Sequence, residues 1–308
     1  LDEAAITAEA LPKFAEAEIS GIRPVVFAGV NGETQAPRLA AESTLDGTDM
    51  LGQRMKYTYI VDQQTGEIFH EENNILHADV DLQILSNKTD RYSMECGPES
   101  ASPLPHARVT VGGSVYVADE NGFVTIPNSG TGSVSVTAEA RTRWFNVDNG
   151  SGDVTGTFAS GSTGTLTLNP LNSNDTERAR ADAIYFAEEA RNLAIFYNSS
   201  YPTINNQQNF TVNTGVSGSC NAFYDGSSIN HYNAGGGCSN TATDVIVIHE
   251  YGHHLVNVGG SGQGEYGEGS GDTFGVLITG DSRLAVGFYL NNCGSGIRNA
   301  NNSCTYSS

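Results

Sequence analysis

Apolar and polar positions alternate along Lys56-Tyr57-Thr58-Tyr59-Ile60-Val61-Asp62, and after a Gly-containing connection a second apolar-rich run, Glu67-Ile68-Phe69-His70, follows. Two such runs about a short connection predict a β-hairpin. The stretch from Glu95 to Pro105 is rich in Pro, Gly and Ser and reads as a linker. Five short β-branched runs come next, at 108–111, 114–117, 122–126, 133–137 and 164–168, with Gly-rich turns between them. They predict a small antiparallel sandwich, with Trp144 in its core because an indole buries so much apolar area. At Asn174 the period changes. Asn174-Asp175-Thr176-Glu177 has a capping-box pattern, and Ile184, Ala187, Ala190, Ala194 and Tyr197 recur at helical spacing. Strands are expected near 210–212, 222–224 and 228–232, a second helix from about Thr243 to Gly259, and a third from about Glu265 to Thr279. The expected fold class is therefore α+β and multidomain, with units at 1–95, 96–170 and 171–308.

Composition narrows the function classes. The chain has 308 residues, 38% hydrophobic and only 16% charged, with 36 glycines, which fits a folded but loop-rich protein. Its formal net charge is −20. Such a surface repels phosphate backbones and anionic lipid, so no nucleic-acid partner is expected. The longest apolar runs reach about six residues against the roughly 20 that span a bilayer, so no membrane insertion is expected either. The start lacks a basic segment followed by an apolar one, so any signal peptide is expected to have been removed already. Five cysteines, none in a C-x-x-C arrangement, suit a secreted protein with disulfides. Spacing suggests the pairs Cys220–Cys238 and Cys293–Cys304, each closing a short loop. Cys96 is left over, either as a buried free thiol or as half of a bridge to a segment beyond this chain.

The chemistry is concentrated in the second helix, at His249-Glu250-Tyr251-Gly252-His253. Residues four apart are offset by only about 40° around a helix axis, so both imidazoles leave one face and can grip one metal ion. Glu250 is rotated by about 100° from His249, which suits a general base beside the ion rather than a like ligand. Fifteen residues after His253, Glu268 and Asp272 share one face of the third helix. Glu268 can supply a third ligand, leaving a fourth position for water, and Asp272 can accept the second ring N–H of His249. Two imidazoles favour Zn2+ over Ca2+, which prefers more oxygens. The other histidines, His70, His77, His106, His231 and His254, read as exposed or core residues, with His231 nearest in sequence to the site.

With these residues the sequence resembles the thermolysin and fungalysin-type (gluzincin) zinc metallopeptidases, whose pattern is H-E-x-x-H followed by a ligand Glu with an Asp four residues later. A second match is Asn221-Ala222-Phe223-Tyr224-Asp225-Gly226-Ser227, which is similar to the edge strand lining the cleft in that family. The resemblance implies that Asn221 and Ala222 hold an extended peptide and that Arg298 contacts the substrate. It implies a thermolysin-like zincin catalytic subdomain at 171–308, a propeptide-like region at 1–95 acting as inhibitor, and a transthyretin-like or carboxypeptidase-regulatory-like β-domain at 96–170. The family's calcium-site Asp is replaced by Val245, which argues against calcium. The segment between His253 and Glu268 is shorter than in thermolysin. The chain runs only 36 residues past Asp272, so the catalytic unit is expected to be incomplete at its C-terminus.

The expected function is thus a secreted zinc endopeptidase in zymogen form, acting on protein or peptide substrates. Two other readings stay open: a non-enzymatic surface or binding protein carrying an inactive zincin-like unit, and an aminopeptidase.

Overall fold

The structure, a computed structural model, describes residues 13–30, 32, 34–48, 54–74, 79–128, 132–148, 151–172, 174–264 and 266–303. The chain divides into two compact units that do not follow the expected boundaries at 95 and 170. One comprises Leu1–Val80 with Pro127–Val134 and Ala159–Ser162; the other comprises Asp81–Ile126, Ser135–Phe158 and Thr163–Ser308.

The first unit is an antiparallel sheet of four strands in chain order: β1 (Glu16–Phe27), β2 (Arg38–Thr48), β3 (Arg54–Asp62) and β4 (Ile68–Asn73). The hairpin read from the alternation at 56–70 is β3–β4. Its turn is built by Asp62, whose Oδ1 accepts from the N–H groups of Gln64 and Thr65 at 2.7 and 2.9 Å. Gly66 follows in the left-handed region, with φ 76°, which an L side chain rarely adopts. One face of the sheet buries Phe14, Ala41, Leu45, Tyr59 and Val61 together.

Among the described residues the second unit holds two main sheets and a two-stranded one. The smaller main sheet places β13 (Thr163–Leu168), β5 (Val80–Thr89) and β6 (Glu99–Pro103) side by side, with β9 (Phe123–Ile126) also on β5. The stretch that reads as a linker is thus partly an edge strand. Pro103 is tolerated because it ends that strand at the sheet edge. The larger sheet has eight strands. Seven run in the order β15 (Ala222–Tyr224), β16 (Ser228–Tyr232), β14 (Phe210–Val216), β11 (Phe145–Val147), β10 (Val134–Thr142), β7 (Ala107–Val111) and β8 (Ser114–Val117), and β12 (Val154–Phe158) pairs with β10.

These sheets overturn the expected fold class. Strand accounts for 40% of the described residues and helix for 21%, with three α-helices among them, so the protein is β-rich and the expected thermolysin-like zincin subdomain does not form as a helical unit. Nor do the strands of 107–168 close on themselves as a separate sandwich. They divide between the two sheets, and β11 continues in parallel register into β14, pairing Phe145 with Phe210 and Val147 with Val212. Extending a ladder satisfies the N–H and C=O groups that an isolated edge would leave open.

Three helices pack in this unit. The first, α1 (Asp175–Tyr197), starts as the capping pattern predicts: Asn174 accepts from the Glu177 N–H at 3.0 Å. Its buried face is mostly alanine, with Ala179, Ala183, Ala187, Ala190 and Ala194 against β11 and β14. The second, α2 (Asp244–Val258), opens with Val245-Ile246-Val247-Ile248, a β-branched run that favours strand. Burial overrides that preference: all four side chains, with Tyr251 and Leu255, are buried, and the helix packs against α1, β15 and β16. The third, α3 (Gly267–Thr279), ends at Gly280 with φ 65°. Beyond it β17 (Arg283–Leu284) pairs with β18 (Arg298–Asn299).

Two disulfides tie this unit, and one differs from the expected pairing. Cys220–Cys238 forms as the spacing suggests. Cys293 pairs with Cys96, not with Cys304, which lies outside the described residues. Local contacts bring the two together: the Ser93 N–H donates to Val286 O at 3.0 Å, and Arg283 reaches the Tyr92 hydroxyl at 2.6 Å. Among the described residues no helix is long and apolar enough to cross a membrane.

Candidate metal centre

Helix α2 carries His249 and His253 one turn apart, and their rings stand 4.8 Å apart at 85°. Helix α3 approaches α2 closely because glycines face each other at the crossing. A Cβ on Gly252 would lie 2.8 Å from the Gly271 Cα, and one on Gly271 would lie 2.7 Å from His249 Nδ1. That approach brings Glu268 over both imidazoles, with His249 Nε2 at 3.5 Å from Oε2 and His253 Nε2 at 3.4 Å from Oε1. One ligand atom from each of the three residues lies within 4.8 Å of the others, so the group could hold a metal ion.

The hydrogen bonds on the far side of each ring test that fit. His249 Nδ1 lies 2.9 Å from Asp272 Oδ1, and His253 Nδ1 lies 2.8 Å from Gln263 Oε1. Both oxygens accept, so each neutral ring carries its proton on Nδ1 and turns its Nε2 lone pair toward the Glu268 carboxylate. Three acceptors then converge with no proton between them. A divalent cation satisfies that arrangement, and two imidazole nitrogens with one carboxylate oxygen are borderline donors that suit a first-row transition ion better than calcium.

Sequence reasoning anticipated Asp272 in this role but not Gln263, which sits in the Gly-rich loop before α3 where nothing in its spacing marks it. Gln263 is held in turn, donating from Nε2 to the His253 carbonyl at 2.8 Å. The glycines carried a signal that went unread. Gly271 and Gly275 recur one turn apart, a pattern that allows close helix contact, and Gly275 faces Val245.

Glu250 is buried on the wall of the same cleft. Burial pushes its carboxyl up to about 7, helped by Glu268 and opposed by His249, by the nearby Tyr224 backbone and by Arg298. Burial also works against the Asp272 carboxylate, but His249 and Arg298 outweigh it and hold the group below the usual range. The β17–β18 ladder delivers Arg298, whose Nη2 lies 2.8 Å from Asp272 Oδ1 and Nη1 3.5 Å from Glu268 Oε2.

The cleft, about 610 Å3 in volume, runs between α2, α3 and β15. Asn221 and Ala222 line it, as do the apolar side chains of Ile246, Leu284, Phe288 and Ile297. Among the described residues strand β15 pairs only with β16, which leaves its other edge unpaired along the cleft. The remaining histidines stand elsewhere. His231 is buried on β16 with Nδ1 3.1 Å from Thr241 O, and His254 is buried on the side of α2 away from the imidazole pair. His77 lies outside the described residues.

No model of a known protein family matches this chain, and no curated protein matches it. The site is therefore read from its own geometry.

Proposed function

We propose that this protein is a secreted zinc-dependent endopeptidase. The observation that carries the reading is the convergence of His249 Nε2, His253 Nε2 and a Glu268 oxygen within 4.8 Å, in a cleft bordered by an unpaired sheet edge. Such an edge offers an extended peptide its N–H and C=O groups. Two disulfides support an oxidising, extracellular compartment.

His249, His253 and Glu268 would hold the ion, which when bound supplies Lewis acidity toward the scissile carbonyl and the attacking water. The chain's own groups do the rest. Asp272 and Gln263 keep both rings protonated on Nδ1 and aimed by Nε2. Glu250 takes the proton from the attacking water and passes it to the leaving amine. Asn221 and Ala222 align the peptide along β15, and Arg298 fixes both Asp272 and Glu268 while presenting a positive charge to the substrate. On this reading a pro-region lost on activation ends ahead of β5, because β5 pairs with β13 and β6 in the second unit, and the intact mass of the native product tests it.

The deciding experiment is Glu250→Gln with zinc content measured alongside. Hydrolysis of a protein substrate falls by about 10²–10⁴-fold while one zinc per chain is retained. Undiminished turnover by the variant refutes the role of Glu250, and wild-type protein that binds zinc yet cleaves no peptide refutes the function.

A further inference from the structure

Consecutive helix residues point about 100° apart, so where His253 turns to the cleft, His254 turns into the protein. Its ring lies against Phe210 at 4.3 Å between centroids, with Tyr251 and Tyr224 at 5.4 and 5.5 Å. Both nitrogens are engaged. Nε2 lies 3.1 Å from Gln207 Oε1, which also accepts from the Tyr251 hydroxyl at 3.0 Å. Nδ1 lies 3.1 Å from the Tyr224 hydroxyl. An amide oxygen can only accept, so the His254 proton sits on Nε2 and its Nδ1 is an acceptor that shares the single Tyr224 hydroxyl proton with the Gly226 carbonyl. The same hydroxyl accepts from Asn257 Nδ2 at 3.1 Å and lies 2.8 Å from Gly226 O.

Tyr224 is the last residue of β15. Its side chain thus ties the edge strand to α2 through His254 and Asn257. We propose that His254 is a positioning residue: braced by Gln207, it anchors Tyr224 and thereby fixes the cleft-edge strand in register with the helix that carries the ligand histidines. The inference rests on the endopeptidase reading for its kinetic readout only. Neither ring nitrogen of His254 reaches the ligand group, so loss of the anchor acts on the strand and leaves metal binding in place.

The test uses the full chain with two variants, His254→Phe and Tyr224→Phe, the second removing a single oxygen so that folding is preserved. Zinc content is measured by elemental analysis, KM and kcat with an extended peptide, and amide hydrogen exchange over residues 221–226 by mass spectrometry. Both variants are expected to bind one zinc per chain, to raise KM about fivefold, and to exchange about tenfold faster over 221–226 than wild type, with exchange over 244–252 unchanged. A merely structural defect lowers the active fraction and leaves KM unmoved. Unchanged KM in Tyr224→Phe overturns the anchoring. Should wild-type protein cleave nothing, the endopeptidase reading fails separately, and unaltered exchange over 221–226 in both variants still overturns this one.

Discussion

Gly271→Ala sets two effects of known sign against each other. A methyl group in the middle of α3 improves helix propensity by about 1 kcal/mol. At this position, however, the Cβ would stand 2.7 Å from His249 Nδ1 and 2.9 Å from its Cγ and Cε1. Ordinary contact begins near 3.4 Å, so the ring or the helix must retreat by about half an ångström or more, an overpacking that costs about 1–3 kcal/mol. The net change in metal-free stability is then a loss of about 0–2 kcal/mol. The larger effect falls on the metal. The retreat pulls His249 Nδ1 from Asp272, now at 2.9 Å, and loss of such an outer partner costs about 10–100-fold in affinity. Gly269→Ala is the internal control, because a Cβ there meets nothing within 4 Å. It should gain about 1 kcal/mol and bind zinc as wild type does. Urea unfolding of the metal-free proteins and zinc competition against a chromophoric chelator measure both quantities. Equal zinc affinity in the two variants would show that the close approach does not set the ring position.

Two further outcomes follow from the same structure. Burial pushes the His231 imidazole down to about 4, and its Nε2 has no partner among the described residues. Between about pH 6.5 and 4 the unfolded chain binds a proton that the folded chain excludes. This contribution is therefore intact above pH 6.5 and about 3 kcal/mol is lost as pH falls to 4; His231→Gln should remove most of that slope in urea titrations, and an unchanged slope refutes it. Cys96–Cys293 spans 197 residues and Cys220–Cys238 spans 18. Replacing each pair by serine should cost on the order of 5 and 3 kcal/mol respectively in denaturant unfolding, and the opposite ranking would refute the chain-entropy account.

Local periodicity revealed much of the site and less of the fold. His249, Glu250 and His253 were readable because helical spacing alone puts two imidazoles on one face, and Glu268 and Asp272 because they repeat that offset on the next helix. Their convergence depends on Gly252 meeting Gly271, which the glycine pattern hints at. Gln263 was hidden, since an amide in a loop has no period. The fold class failed at Phe145-Asn146-Val147: three residues give too short a pattern to show that their partner is Phe210–Val212, far along the chain. Cys96 was misread for the same reason, because its partner is chosen by the docking of 281–293 on Ser93 rather than by spacing. Glu99–Pro103 looked like a linker because Pro and Ser carry little strand propensity, and backbone pairing to β5 prevailed.

The bare border of β15 has a consequence for what the protein could act upon. Recognition through main-chain groups ignores most side chains but demands that the visitor lie straight for several residues. A helix or an interior strand of a folded target already spends those groups internally and cannot present them. Susceptibility would then follow how readily a target frays, and methylating successive amide nitrogens of a test peptide would reveal which ones the border engages.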